Sequence, residues 1–173
     1  MTGPSSQARR THRLSAATSR LAQLPGREEA SRFLVELRRP ARVSAVRAVV
    51  DGLIVAMTLR KRGVRFLLPA AAAPSSSLDT NRSAEVSRAV DAGLALLPLA
   101  PTCLRRSVTL LRELNRLDLA ANMHVGVRTV AGTVEAHAWV QAGDVVVNDD
   151  ADVTKTYIEL AAGDLERILP LLP

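Results

Sequence analysis

After Thr102 the apolar residues change period. Leu104, Val108, Leu111 and Leu114 recur at helical intervals, whereas from Met123 onward apolar and polar residues alternate. Those two periods dictate a helix followed by short strands. The alternating runs at 123–130, 134–141 and 145–148 are separated by turn-like breaks, which predicts an antiparallel meander. The helix opens with the only cysteine of the chain, Cys103; His137 lies in the second run; the acidic pair Asp149 and Asp150 ends the third. A cysteine at a helix start, then a histidine and an acid on successive strands, is the order of parts of a cysteine nucleophile with a base and an orienting group.

The rest of the chain reads as support for this stretch. At 173 residues one domain is expected, residues 28–173, with a helical part at 28–97 and the catalytic helix and sheet at 98–173. The fold class is α+β. Residues 28–39 read as a helix with Phe33, Leu34 and Leu37 on one side, and Pro40 ends it or starts the next. Residues 41–61 carry Val43, Val46, Val50, Leu53, Ile54 and Met57 at helical spacing, which predicts that this face is buried. A further apolar piece at 64–73 breaks at Pro69, a loop follows at 74–80, and Ser83 is the expected N-cap of a helix running to Pro98. Residues 1–27 form a basic tail with Arg9, Arg10, Arg13, Arg20 and Arg27 and few apolar anchors.

Composition removes several classes. Aromatic residues make up only 2%, so the core is built from Leu, Val and Ala. One cysteine allows no internal disulfide, and the N-terminus lacks the apolar run of a secretory signal, so a cytoplasmic location is expected. Residues 48–59 are apolar but too few to span a bilayer, and they contain Asp51; no transmembrane segment is expected. The net charge of +6 favours anionic partners without identifying them. The tail has no aromatic residue to stack on bases, and no nucleic-acid partner is expected. No metal or cofactor is called for.

Thr102 is positioned to cap the helix, which places Cys103 at its first residue, where unpaired backbone N–H groups and the helix dipole favour a thiolate. Arg105, Thr109, Arg112 and Arg116 are expected to face water. His137 shares a strand face with Trp139, which would shield the imidazole; His12 and His124 are read as structural. The third member depends on register. A two-residue turn at Ala142-Gly143 sets Asn148 opposite His137, a three-residue connection sets Asp149 there, and one more residue sets Asp150 there.

Cys103, Leu104, Arg106 and Ser107, then Gly126 and Val127, then Ala136 to Trp139, then Asn148 and Asp149 together resemble the transglutaminase-like leader peptidases of lasso peptide biosynthesis. That resemblance implies N-terminal helices packed on a transglutaminase-like, papain-like core, and a Cys103–His137–Asp149 triad that cleaves a leader from a lasso precursor peptide. It chooses Asp149 over Asn148 as the orienting acid. It also implies a separate leader-binding protein and an ATP-dependent lasso cyclase as partners. Arg105 departs from the proline common at that position in the family. Acyl transfer by the same triad is the first alternative, and a non-catalytic basic binding module is the second.

Overall fold

The computed structural model describes residues 25–62, 77–99 and 102–161. Most of the basic tail, the apolar piece at 64–73 and the first part of the 74–80 loop therefore lie outside the described residues. Helices α1 (Arg27–Glu36), α2 (Arg39–Arg62), α3 (Thr80–Ala95) and α4 (Cys103–Arg116) precede strands β1 (Asn122–Val130), β2 (Thr133–Ala142) and β3 (Val145–Val146). A single turn, α5 (Val153–Thr156), leads into β4 (Ile158–Glu159). The four strands form one antiparallel sheet in the order β3-β2-β1-β4. This is the expected α+β architecture, with α5 and β4 added.

Helix α4 is the centre of the molecule. It packs on α2 and α3 on one side and on β2 and β1 on the other. Leu110, Leu111 and Leu114 join Val90 and Leu94 of α3 and Val140 of β2 in the main core. A helix enclosed in this way has little face left for water. Thr109 is fully buried and Arg105 is 7% exposed, contrary to the expectation that both face solvent. Arg112 and Arg116 do reach the surface, but they turn back to Asp51 of α2, and Arg116 also bonds Glu113. Asp51 and Glu113 are almost fully buried, and these arginines, with Arg47 3.6 Å from Glu113, are their charge partners.

Phe33, Leu34 and Leu37 share one side of α1, as expected, and pack with Ala41 and Ala45 of α2 and Ala89 of α3. The start of α3 is one turn earlier than the sequence suggests. Asp79 caps it by accepting from the Arg82 N–H at 2.9 Å, while Ser83 is buried and donates to the Asp79 carbonyl at 2.8 Å. Asp79 accepts the same first-turn N–H bond as Ser would, and the polar Thr80-Asn81-Arg82 run continues as helix.

Helix α2 reverses its expected orientation. Its buried residues are Ala41, Ser44, Ala45, Ala48, Asp51, Gly52 and Val55, whereas Val43, Val46, Val50, Leu53, Ile54 and Met57 are exposed. The cause is the closeness of α3. A Cβ on Gly93 would sit 2.3 Å from the Ala45 carbonyl oxygen, so only a face of small residues fits there. Periodicity located the two faces of α2, but size decided which one is inside.

Candidate active site

Cys103 is the first residue of α4. Thr102 is the N-cap, its hydroxyl accepting from the Arg105 N–H at 3.2 Å. The sole cysteine is thus held at a helix N-terminus by a capping bond that the sequence predicted. One turn on, Arg106 forms two 2.6 Å bonds with the Asp91 carboxylate of α3, which locks the first turn of α4 in rotation.

His137 stands in β2, directly opposite Gly126 of β1, with its ring mostly buried. Its Nε2 lies 2.6 Å from Asp149 Oδ2, the ring N–H donating. The other carboxylate oxygen, Oδ1, accepts the Asp150 N–H at 2.8 Å. The Cys103 thiol lies within the hydrogen-bonding and electrostatic reach of the His137 ring. With Nε2 committed to Asp149, Nδ1 is the ring nitrogen left for sulfur. Cys103, His137 and Asp149 are therefore brought together in that order.

The electrostatics favour charge separation within this row. Burial pushes the Cys103 thiol up, but the His137 hydrogen bond and charge, with the Ala138 and Leu104 N–H groups, overcome it and hold the thiol below its ordinary value. Burial pulls His137 down, yet hydrogen bonds to Asp149 and Cys103 and their negative charges raise it to about 9. The two shifts share a cause, since the charged form of each group favours the charged form of the other.

The route by which Asp149 arrives differs from a simple strand pairing. Ala142 pairs with Val145 and Gln141 with Val146, so the two-residue loop is Gly143-Asp144, not Ala142-Gly143. Gly143 has φ 60, the first-position glycine that a II′-type loop takes. Extending that register would set Asp150 across from His137. The ladder stops first: Val147 gives one more backbone bond to Val140, at 3.0 Å, and residues 147–149 bend. The bend swings Asp149 to the imidazole and leaves Asp150 exposed. The expectation of Asp149 directly opposite His137 on a continuous strand is thus corrected, while the contact itself forms.

Asn148 points the other way. Its Oδ1 accepts the Val140 N–H at 2.7 Å, and its Nδ2 donates to Ser107 Oγ at 3.0 Å. Ser107 Oγ in turn donates to the Ala138 carbonyl at 2.9 Å. This buried chain joins three pieces: the helix that opens with Cys103 (four residues after it), the strand carrying His137, and the bend carrying Asp149.

Two aromatic rings flank the imidazole. Trp139, expected there, has its ring centre 6.4 Å from that of His137; Tyr157, which the sequence reading missed, stacks at 4.9 Å. Tyr157 is held by Arg128 over its ring and by β4, which His124 ties to β1 through Glu159 at 2.6 Å. Gly126 makes room for both rings: a Cβ there would lie 2.9 Å from Tyr157 Cβ and 3.0 Å from Trp139 Cη2. A signal was present, since the chain has one Trp and one Tyr. Among the described residues no cluster of His, Cys, Asp or Glu could hold a metal ion.

No helix among the described residues is long and apolar enough to cross a membrane. No curated protein and no solved structure matches the chain. A profile of the transglutaminase-like superfamily matches residues 48–162, which include α3, α4, the whole sheet and every residue of the site. With well over half of its length covered, the chain belongs to the transglutaminase-like superfamily.

Proposed function

We propose that this protein is a cysteine peptidase that removes the leader from a lasso peptide precursor, with Cys103 as nucleophile, His137 as general acid–base and Asp149 as orienting group. The superfamily is generally one of cysteine hydrolases and transferases, which sets the reaction class. The observation that carries the reading is the row Cys103–His137–Asp149, with the thiol held low at a helix start. The motifs that resemble lasso leader peptidases supply the substrate.

In this reading the Cys103 thiolate attacks the carbonyl of the last leader residue. The oxyanion develops near the Cys103 backbone N–H, one of the unpaired donors of the first turn of α4, and a donor of this kind contributes about 3 kcal/mol. The C–N bond breaks as the His137 imidazolium protonates the departing amine of the core peptide. His137 then takes a proton from water, which attacks the thioester and releases the leader as a carboxylate. Asp149 keeps the ring nitrogen nearest sulfur free to exchange the proton and stabilises the imidazolium. A separate leader-binding protein would supply the substrate and an ATP-dependent cyclase would consume the core, all in the cytoplasm.

The test is co-expression with a precursor peptide and a leader-binding protein, with and without Cys103→Ala. Masses of free leader and free core are expected only with the intact cysteine. A leader mass increased by an added amine would assign acyl transfer instead. Cleavage that persists in Cys103→Ala would refute the triad.

A further inference from the structure

The outward face of α2 has no role in the site. Val43, Val46, Val50, Leu53 and Met57 follow one another at alternating steps of three and four residues. That is the spacing of a coiled-coil seam. With Ile54 beside it, every member is exposed, from 39% for Ile54 to 66% for Val46. The stripe is about 21 Å long at 1.5 Å per residue. A contiguous apolar surface of this kind marks an interaction site.

The charges around the stripe are of one sign. Continuing the seam puts Arg39 before Val43 and Arg60 after Met57, both exposed. Arg42 and Arg47 occupy the two flanking rows, where coiled coils place the charges that select a partner. Arg42 also donates to the Leu37 and Val35 carbonyls, and Arg47, half-exposed, lies 3.6 Å from Glu113, so Arg39 and Arg60 carry most of the charge available to a partner. The single acid of α2, Asp51, is buried on the opposite face and already paired with Arg112 and Arg116. A second copy of the chain would set Arg42 against Arg47 in a parallel pair, and arginine against arginine in an antiparallel one. Self-association is therefore opposed in both orientations. A bilayer is a poorer match, because the stripe has no Trp, Tyr or Phe to anchor in the interface and is rich in β-branched valine.

We propose that the seam Val43–Val46–Val50–Leu53–Met57, with its arginine rim, is a docking face for an acidic amphipathic helix of a separate protein. Leucine-type knobs of that helix would fill the gaps between the valines, and its carboxylates would meet Arg39 and Arg60, with the exposed sides of Arg42 and Arg47 adding to the positive rim. The face lies on a helix outside the catalytic row, so the docking does not depend on the chemistry proposed for Cys103.

The probe is a stapled synthetic helix with Leu at its seam positions and Glu in its flanking rows, compared with a twin carrying Lys in place of Glu. Fluorescence anisotropy with the full chain should show the Glu helix binding at least about tenfold more tightly than the Lys twin, with the difference shrinking as salt rises. The pair Val46→Asp and Val50→Asp should abolish binding, and Arg39→Glu with Arg60→Glu should reverse the preference between the two helices. Circular dichroism checks that each variant is folded. On the unaltered chain, the Glu helix should slow amide exchange across residues 42–60, a readout that needs no variant. Equal binding of the two helices, or slowed exchange only elsewhere, overturns the assignment. So does concentration-dependent dimerisation that Val50→Asp removes, which would assign the face to a second copy. Binding to phosphatidylserine vesicles with neither helix bound would assign it to a membrane surface and overturn it equally.

Discussion

Replacing Asn148 by alanine is expected to destabilise the fold severely, although Asn148 touches none of the reacting groups. The buried Val140 N–H, whose acceptor is Asn148 Oδ1 at 2.7 Å, would lose its partner. An orphaned buried donor costs about 1–3 kcal/mol, and the lost bond to Ser107 Oγ adds about 0.5–1.5 kcal/mol. Ser107 keeps its bond to the Ala138 carbonyl, so no second orphan is created. The expected loss is about 3 kcal/mol, or about 6–12 °C in Tm for a chain of this size. Asn148→Asp sharpens the test. Its carboxyl keeps an acceptor for Val140, but when ionised it has no proton for Ser107 and no cation beside it. Burial would raise its pKa above the ordinary carboxylate value, so the folded state would bind the proton more tightly than the unfolded state. Stability should then rise as pH falls toward about 5, the reverse of the usual carboxylate behaviour. Thermal unfolding by circular dichroism between pH 5 and 8 reads both effects. A loss below about 1 kcal/mol in Asn148→Ala, or no pH dependence in Asn148→Asp beyond wild type, would refute the clamp.

Asp149→Asn should leave the fold intact but lower kcat by about 10³–10⁴, because the amide stabilises neither the imidazolium nor the right tautomer; pre-steady-state thioester formation measures it. Iodoacetamide labelling of Cys103 should show a thiolate already formed below the ordinary thiol value of about 8.5, and a normal titration would contradict the ion pair. Peptidase turnover should fall as pH rises through about 9, where His137 loses the proton needed by the leaving amine. Because His137 is raised above 6.5, its contribution to stability is full below that value and disappears as pH passes about 9, which pH-dependent unfolding checks. Gly126→Ala should cost about 1–3 kcal/mol by forcing Tyr157 and Trp139 off the imidazole, read as a lower Tm together with altered Cys103 reactivity.

The row Cys103–His137–Asp149 was legible as a juxtaposition because Cys103 and His137 each carry a local signal. Thr102 before Cys103 is a cap before a helix, and the alternation around His137 fixes which of its neighbours share its face. Packing direction was less legible. On α2 the large apolar residues were expected inside, but the nearby α3 backbone at Gly93 admits only alanine, serine and glycine sizes, so the larger side chains turn outward. On α4, Thr109 and Arg105 looked solvent-facing because polar residues usually are, yet a helix covered by two helices and a sheet leaves only a narrow face for water, taken by Arg112 and Arg116. Burial there is a property of the neighbours, which no local pattern records.

The acid was the hardest to place, and the reason lies in how the sheet ends. Alternation assumes that a strand continues, and under that assumption the Gly143-Asp144 loop selects Asp150 as the partner of His137. The strand instead ends because Asn148 leaves the ladder pattern. Its side chain takes the next N–H on β2, that of Val140, in place of the Val147 carbonyl that the ladder would supply, and its amide reaches inward to Ser107. Once Asn148 is fixed inward, the following residue is carried round the bend toward the opposite face, where His137 waits. Asn148 and Asp149 therefore act in sequence. The first terminates the strand and binds it to the helix that opens with Cys103, and the second is delivered to the imidazole by that termination. Reading them as rivals for one position opposite His137 could not capture this, because the position depends on a side chain replacing a backbone bond. The order Asn-Asp is what the geometry requires. Exchanging the two would put a carboxylate against Ser107 in the core and an amide against His137, losing the buried clamp and the imidazolium partner together.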